Sequence, residues 1–284
     1  MTQRILQILF IVFFTVLAFN LSAQKFYVGV QTGYGFATSA GQANLYNSVV
    51  YPENEMSEIL KGGYGEGLNI AVKVGRKINK NVDFEFGIDY LFGRELTTTA
   101  SSASNLGTTA QFINDQTFTR SANGLLLSPQ LVFNAPTDSK LIPYAKIGAT
   151  FGCFINITDE IEEVAIGGVV GVVTREMTQK SKGNIATGLN AALGANYLLN
   201  EKFALYAEFQ LLNMAYSPQK TSLTSFVING NDQFDDLDTY QKETIYLDKV
   251  EYQGVIDIEK PLETLRLSLP MSNVSFNFGV RMDL

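Results

Sequence analysis

The chain ends on residues 272–284, Ser272-Asn-Val-Ser-Phe-Asn-Phe-Gly-Val-Arg-Met-Asp-Leu284 (SNVSFNFGVRMDL). Apolar side chains fall at positions 274, 276, 278, 280, 282 and 284, and small or polar ones lie between them. This two-residue period is typical of a β-strand with one apolar face. Because chain ends usually fray unless something holds them, the alternation predicts that a partner strand ties the last residues into a sheet.

The composition excludes several classes of protein. Of the 284 residues, 46% are hydrophobic and 17% are charged, which is too apolar for a disordered chain. The formal net charge is −7, whereas nucleic acid and anionic lipid surfaces both attract clustered Lys and Arg. The sequence therefore predicts no nucleic-acid partner and no simple electrostatic docking on a membrane.

Histidine is absent from the chain, and Cys153 is the only cysteine. A single cysteine cannot form an internal disulfide or a cysteine-based zinc site. Without histidine the chain lacks the usual general base near neutral pH. The sequence thus predicts no enzyme activity, no catalytic residue, no cofactor site and no metal site.

Residues 1–23 have the features of a secretory signal peptide. Arg4 gives a positive start, residues 5–19 are apolar, and Ser22-Ala23 supply small residues for cleavage. A retained membrane anchor is the alternative, but it needs roughly 20 apolar residues to span a bilayer. We therefore predict an exported protein whose single domain covers residues 24–284.

Eight segments of the remaining chain show strand alternation. Their ranges are Lys25–Ala37, Gly65–Ile78, Val82–Glu95, about 119–134, Leu141–Phe154, Gly183–Leu198, Phe203–Tyr216 and 272–284. Short turns rich in Asn, Asp, Pro and Ser alternate with long connections over about 38–64, 96–118, 155–182 and 217–269. This pattern predicts an all-β fold, an eight-stranded antiparallel up-and-down transmembrane β-barrel with four long extracellular loops.

A soluble barrel is the alternative architecture. Aromatic residues concentrate at the predicted strand ends, as in the girdles that flank the apolar band of membrane barrels. Together with the export signal, these aromatic residues favour the membrane barrel.

The strand pattern, the unequal loops and the final VSFNFGVRMDL resemble the porin-like outer-membrane β-barrel family of Gram-negative bacteria, specifically its small eight-stranded members. The resemblance covers nearly all of residues 25–284 and is specific for the fold. It implies a location in the bacterial outer membrane, contact with outer-membrane lipid, and recognition of the last strand by the barrel assembly machinery. Family members usually end in an aromatic residue. Since Leu284 stands there in this chain, recognition is expected to depend on Phe276 and Phe278.

Strand parity also predicts charged side chains inside the barrel. They are Lys73, Asp83, Glu85, Asp89, Lys146, Glu208 and Arg281. An eight-stranded barrel is just wide enough for side chains to fill it, and buried charges must be paired. We therefore expect an ion-pair network that fills the lumen, with a narrow ion pathway or proton relay as the alternative.

The loops carry weaker signals. Residues 52–62 (PENEMSEILKG) predict a short helix with Pro near its start and Gly at its end, and the Ser/Thr-rich run 97–109 predicts a flexible loop tip. The apolar segment 162–177 is expected to be a hairpin tip that packs on other loops, or else an apolar patch for a partner or the membrane. The acidic run 229–238 reads as a solvated loop rather than a calcium site. Residues 243–260 are expected to extend the sheet above the membrane or to form a hairpin.

These features predict a non-enzymatic outer-membrane barrel whose loops bind a protein partner or support the envelope surface, since function in such scaffolds lies in the loops. A narrow porin-like channel for small solutes is one alternative. A membrane component of a protein secretion complex, like the PorT-like barrels, is another.

Overall fold

The computed structural model describes residues 26–38, 46–51, 54–59, 62–105, 111–167, 171–251 and 257–284. The predicted signal peptide therefore lies outside the described residues. In chain order the strands are β1 Phe26–Ala37, β2 Tyr46–Tyr51, β3 Asn54–Ile59, β4 Gly67–Lys77, β5 Val82–Gly93, β6 Leu96–Ser104, β7 Phe112–Asn134, β8 Leu141–Gly167, β9 Gly171–Gly183, β10 Ala186–Leu198, β11 Phe203–Tyr216, β12 Pro218–Ile228, β13 Asn231–Asp232, β14 Glu243–Leu247, β15 Leu262–Leu265, β16 Leu269–Pro270 and β17 Asn273–Asp283. A four-residue helix, α1 Thr239–Lys242, precedes β14.

Eight strands form a closed antiparallel ring in the order β1-β4-β5-β7-β8-β10-β11-β17 and back to β1. The last strand pairs with the first from Tyr27↔Asp283 to Ala37↔Asn273, and Leu284 N donates to Phe26 O over 2.9 Å. This closure confirms the predicted eight-stranded barrel. It also explains why the alternation runs to the end of the chain, since the last strand is the seam of the barrel.

An apolar belt surrounds the barrel. Every ring strand turns alternate apolar side chains outward, and they remain exposed; examples are Val30, Ile70, Ile88, Leu131, Ile147, Leu193, Leu205 and Phe278. Along β1, β4 and β11 the residues between these apolar positions face the interior and are mostly buried. Such a belt, about 25 Å tall, is what a transmembrane barrel presents to lipid. Among the described residues, no helix is long and apolar enough to cross a membrane.

The sheet continues far beyond the belt at the rim that carries the long loops. Strand β8 has 27 residues, about 90 Å at roughly 3.3 Å per residue, whereas a membrane strand needs about nine to eleven residues. In this upper part the order is β3-β2-β6-β7-β8-β9-β12-β14-β15. We call these nine paired segments the extracellular wall. The first part of the segment 243–260 continues the sheet as expected, since β14 pairs with β12. Residues 252–256 of this segment lie outside the described ones, and β15, which follows it, pairs in parallel with β14.

Two predictions for the loops are wrong. The helix expected over 52–62 is strand β3, because residues 54–59 pair with β2 in a hairpin that supplies their backbone hydrogen bonds. The flexible tip expected over 97–109 is largely strand β6, which pairs with β7 from Leu96↔Arg120 to Ser104↔Phe112. In both segments a neighbouring strand overrides the local signal, as tertiary context often does.

A one-residue bulge in β8 marks the junction of barrel and wall. Leu125 pairs with Cys153 but Asn123 pairs with Asn156, so β8 contains one extra residue at this point. Phe154 takes a positive φ of 53° there, and its side chain is 83% exposed. The extra residue exchanges the inward and outward positions of β8. Odd-numbered residues face outward before the bulge, in the barrel, and are mostly turned inward after it, in the extracellular wall.

Candidate functional site in the barrel lumen

Four charged residues meet in the middle of the lumen. Lys73 Nζ lies 2.7 Å from Glu208 Oε1, and Lys146 Nζ lies 2.9 Å from Glu208 Oε2 and 2.8 Å from Glu85 Oε1. Lys73 Nζ and Glu85 Oε1 are 4.0 Å apart and complete the square. The four side chains come from β4, β5, β8 and β11 and are at most 5% exposed. We call them the charge square; its formal charges cancel.

Neutral donors add further hydrogen bonds to both carboxylates of the charge square. Tyr27 Oη donates to Glu85 Oε2 over 2.9 Å, and Gln130 Nε2 donates to Glu85 Oε1 over 2.7 Å. Tyr144 Oη donates to Glu208 Oε2 over 3.0 Å. Buried ion pairs are tolerated when such additional bonds offset their desolvation, so the hydrogen bonds belong to the site as much as the charges do.

Three tyrosine rings in this layer each lie over a glycine of the neighbouring strand. The directly paired residues are Tyr27↔Gly75, Tyr144↔Gly194 and Tyr206↔Gly279. A Cβ atom at these glycines would lie only 2.0, 2.5 and 2.4 Å from the Cζ atom of the paired tyrosine ring. The missing side chains make room for the rings, which fill the lumen around the charge square.

The tyrosine rings also contact the ammonium groups. Lys73 Nζ and Lys146 Nζ lie 5.5 Å and 5.7 Å from the centroid of the Tyr206 ring, and Lys146 Nζ lies 4.9 Å from that of Tyr144. Cations over aromatic faces at such distances are attracted by the ring quadrupole. Each lysine of the square therefore has both carboxylate and aromatic partners.

A second charged layer lies toward the rim of the short turns. Arg281 Nη1 is 3.8 Å from Asp83 Oδ2, Arg281 Nε is 3.0 Å from Asp283 Oδ1, and Lys77 Nζ is 2.7 Å from Asp283 Oδ2. The Arg281 guanidinium stacks 3.6 Å from the centroid of Tyr27, which links this layer to the charge square. Below it a cavity of about 740 Å³ opens at the short-turn rim, lined by residues that include Lys77, Asp83 and Arg281.

Asp89 is the exception among the seven predicted lumen charges. It lies on β5 beside Gly87, whose Cβ position would be 3.1 Å from Asp89 Oδ2. Within the described part of the chain, Asp89 forms no ion pair shorter than 4.0 Å. The structure thus brings Lys73, Glu85, Lys146 and Glu208 together in one layer and Asp83 and Arg281 in the next.

An apolar layer lies above the charge square, at the long-loop end of the lumen. It is one cluster of buried side chains: Tyr64, Leu91, Ala122, Leu126, Ile155, Ile157, Ala186, Leu212, Met214, Tyr216 and Met271. Tyr216 Oη donates to the backbone oxygen of Ile155 over 3.2 Å. We call this set the apolar layer; each member is less than 9% exposed.

Sequence reasoning did not identify the apolar layer or the tyrosines. For Tyr27, Tyr144 and Tyr206 the signal was present, since each has the inward parity of its strand. Leu126 and Leu212 have inward parity as well. Ile155 and Ile157 carried no such signal, because the bulge at Phe154 turns them inward against the parity of the lower strand.

The residues of the predicted assembly strand lie on the outer surface of the seam. Phe276 and Phe278 are on the outward face of β17, and both are exposed, as is Leu284. The Phe276 ring meets that of Phe209 on β11 edge-on, with centroids 5.1 Å apart. This edge of the barrel presents two phenylalanines to lipid beside the carboxyl terminus.

An ion pair in the extracellular wall joins strands β8 and β9. Arg175 Nη1 lies 2.9 Å from Glu163 Oε2, and Gln116 Nε2 donates to Glu163 Oε1 over 3.2 Å. Burial alone would raise the pKa of Glu163, but the hydrogen bonds from Arg175 and Gln116 outweigh it and hold that pKa below its usual value. Glu163 is therefore ionised and ties β7, β8 and β9 together.

The acidic run 229–238 forms β13 and the turn before α1. Asp232 Oδ1 accepts a hydrogen bond from Phe234 N over 2.9 Å, a contact local to the turn. In the described residues, no group of three or more acidic, cysteine or histidine side chains is arranged to hold a metal ion.

The segment 162–177 forms the β8–β9 hairpin, and its residues 168–170 lie outside the described ones. Val164, Ile166 and Val172 remain exposed on its outward face. These side chains form an apolar patch near the tip, and residues 175–177 pair with β12 in another loop. The segment thus has a feature of each of its two interpretations, packing on another loop and an exposed apolar patch.

Comparison with known proteins agrees with this architecture. Residues 7–241 match the family described as outer membrane protein beta-barrel domain. Similar solved structures are Neisserial surface protein A (10% identity, 90% of this chain and 96% of that one, TM-score 0.33), OprG from Pseudomonas aeruginosa (10%, 92% and 96%, TM-score 0.40) and CarO2 from Acinetobacter baumannii (13%, 91% and 99%, TM-score 0.29). No curated protein matches the sequence.

Proposed function

The chain belongs to the outer membrane protein β-barrel domain family, and we propose that it is a closed barrel that holds an extracellular wall at the bacterial surface. It is an integral protein of the bacterial outer membrane. The observation that carries the proposal is the pair of stacked layers in the lumen, the charge square and the apolar layer. The proposed role is binding or surface structure, without catalysis.

The two layers support a closed lumen for different physical reasons. Each charge of the square already has a partner of opposite sign, so an entering ion would have to replace contacts of 2.7 to 2.9 Å. The apolar layer is lined mainly by hydrocarbon side chains and holds no charged group to pair with an ion, and burying an unpaired charge is costly. An ion pathway would need both layers to open.

The extracellular wall supports a role in binding. A sheet that extends far past the lipid belt presents residues to partners, and among the described residues β15 and β3 end it as edge strands. An edge strand has unpaired backbone groups that a partner's strand can use. We propose a protein partner at this wall, with support of the envelope surface as the simpler role.

A channel is the second candidate, and one observation favours it. The cavity of about 740 Å³ at the short-turn rim reaches Asp83 and Arg281 and would form the inner half of a pathway. The charge square and the apolar layer lie between that cavity and the outside. Membership of a secretion complex is a third candidate, but no contact in the described residues favours it specifically.

Recognition by the assembly machinery is proposed for the seam strand. Phe276, Phe278 and Leu284 form an exposed apolar row on the outward face of β17. The strand pairs with both β1 and β11 and so closes the barrel. We propose that the two phenylalanines carry the signal that an aromatic terminal residue gives in similar barrels.

Pull-down from intact cells tests the binding role. The bait is the full chain, compared with a variant in which residues 231–265 are replaced by a short Gly/Ser turn, so that β13, β14 and β15 are lost but the barrel ring is kept. Specific capture of a stoichiometric protein by the full chain alone supports a partner at the wall. Equal capture by both chains would contradict a partner at this part of the wall.

A further inference from the structure

Three lysines form a row on the outward face of the extracellular wall. Lys182 of β9 and Lys220 of β12 are directly paired, and Lys180 lies two residues along on the same face. The residues between them, Ser181 and Thr221, are buried on the opposite face, where their hydroxyl groups lie 2.6 Å apart. The lysine row therefore points away from the interior of the wall.

The lysine row lies just beyond the apolar belt. Ile185, exposed on the outside, is three residues from Lys182, which places the two Cα atoms within roughly 10 Å at the usual strand rise. Asn156 of β8 pairs with Lys182, and Phe154, two residues before it, is the most exposed large apolar side chain of the described residues. An aromatic side chain at this height is typical of the membrane interface.

On this surface the lysine row lies nearer the lipid than the acidic residues, except for Glu243, which pairs with Lys220. Lys180 and Lys182 form no ion pair within 4.0 Å with any residue that the structure describes, whereas Lys220 Nζ lies 2.6 Å from Glu243 Oε1. Farther from the membrane the outward face of β8 and β9 is acidic, with Glu160, Glu162 and Glu176 exposed. In a chain of net charge −7, ammonium groups are thus collected next to the lipid.

The direct pairing of Lys182 with Lys220 is unfavourable by itself. Like charges opposite each other on neighbouring strands destabilise a sheet. A multiply charged anion between the ammonium groups would remove this repulsion and form charge-assisted hydrogen bonds. The lipid of the outer leaflet in a Gram-negative outer membrane carries such anions, as phosphates on its glucosamine headgroup.

We propose that Lys180, Lys182 and Lys220 bind the phosphate groups of this phosphorylated glycolipid, lipid A, with Phe154 against its acyl chains. Charge complementarity selects the headgroup, and the neighbouring apolar belt selects a lipid rather than a soluble anion. The site lies on the outside of the barrel and does not depend on whether the lumen is closed.

Affinity measurements on the folded protein in detergent micelles test this site, with three probes: diphosphoryl lipid A, dephosphorylated lipid A and inorganic phosphate. The variant K180Q/K182Q/K220Q removes the row. A second variant, K180Q/K182Q, keeps the Lys220–Glu243 pair. Weaker binding by this variant therefore cannot come from loss of that pair or of the structure it stabilises. The matched control is K80Q/K140Q/K202Q, which removes the same charge from exposed positions at the short-turn rim.

We expect the triple variant to bind diphosphoryl lipid A on the order of a hundredfold more weakly, because each basic residue near an anionic lipid surface contributes a factor of about five to the affinity. The double variant should lose part of this affinity, and the control should bind like the wild type. Equal binding by wild type and triple variant would overturn the proposal. It would also be overturned if dephosphorylated lipid A bound equally well, or if inorganic phosphate bound as tightly as lipid A.

Discussion

Lys73 and Glu208 meet across the barrel lumen, with Lys73 Nζ 2.7 Å from Glu208 Oε1. Their strands, β4 and β11, are not neighbours in the ring, because β1 and β17 lie between them. The ion pair therefore joins two non-adjacent strands of the barrel through its interior. Since it is almost fully buried, its loss affects the whole barrel rather than one strand pair.

Removal of one member of the charge square should destabilise the barrel. Lys73→Met leaves Lys146 facing two carboxylates, so one negative charge is buried without a partner. Breaking a buried pair in this way costs about 3–5 kcal/mol. The double variant Lys73→Met/Glu208→Gln restores a neutral site and should recover most of this loss. Urea unfolding in micelles, followed by heat-modifiable gel mobility, measures both.

Lys202→Met is the control for this experiment, since Lys202 is exposed at a short turn and surface charges contribute little. It should unfold like the wild type. A double variant as unstable as Lys73→Met alone would show that the cost comes from lost packing and not from unpaired charge.

The fit of Tyr27 on Gly75 should appear as a strong energetic coupling. A Cβ atom at Gly75 would lie 2.0 Å from Tyr27 Cζ, and its three nearest neighbours all belong to that ring. Gly75→Ala should cost about 1–3 kcal/mol, as overpacking does, when Tyr27 is present. In the Tyr27→Ala background the same change should cost almost nothing. A double-mutant cycle of unfolding free energies measures the difference, and additive effects would contradict the proposed contact.

Acidification should loosen the extracellular wall at Glu163. The pKa of this carboxyl is lowered in the folded protein, so the folded state binds fewer protons than the unfolded state. The stabilisation is complete above the unfolded pKa of about 4.3 and is lost as the pH falls through the lower folded value. Amide exchange protection factors of β9, measured from pH 7 to pH 3, should therefore fall below about pH 4.

The Glu163→Gln variant is the comparison for this titration. Its glutamine cannot titrate, so β9 should be less protected at pH 7 and should show little further change through the same window. If both proteins lose protection in parallel, the titrating group is a different one.

The seam strand should matter for assembly in cells more than for stability in vitro. Phe276→Ala/Phe278→Ala is expected to reduce the folded protein in the outer membrane, while the purified chain still folds into micelles. Leu189→Ala/Leu193→Ala, on the outward face of β10, removes lipid contact away from the seam and is the control. Leu284→Phe should leave assembly unchanged or improve it. Equal reduction by both double variants would argue against a signal in β17.

The ring of strands was predictable from the sequence because lipid outside and side chains inside impose a strict two-residue period on each strand. The predicted bounds of Phe203–Tyr216 agree with β11, and closure between the first and last strands is confirmed. The wall was less predictable. Strands β6, β9 and β12 lie beyond the membrane, where polar residues are tolerated on both faces of a strand. The Ser/Thr-rich sequence of β6 therefore resembles that of a loop and predicts one.

The candidate site was predictable in part. Parity alone places Lys73 and Glu208 inside, but their 2.7 Å contact depends on the register of the three strand pairs between β4 and β11, which the sequence does not contain. The bulge at Phe154 was invisible for a further reason. Bulged positions with positive φ usually hold Gly, Asn or Asp, and a phenylalanine there gives no signal.

Single-channel recording in planar bilayers tests the closed barrel most directly. The wild type is compared with a variant that opens both layers, Lys146→Ser/Glu85→Ser for the charge square and Leu126→Ala/Met214→Ala for the apolar layer; both proteins must first show heat-modifiable mobility. A closed barrel predicts no stable conductance steps for the wild type and steps for the opened variant. Steady, reproducible steps from the wild type, altered by substitution of Lys73 or Asp89, would contradict the closed barrel and establish a channel.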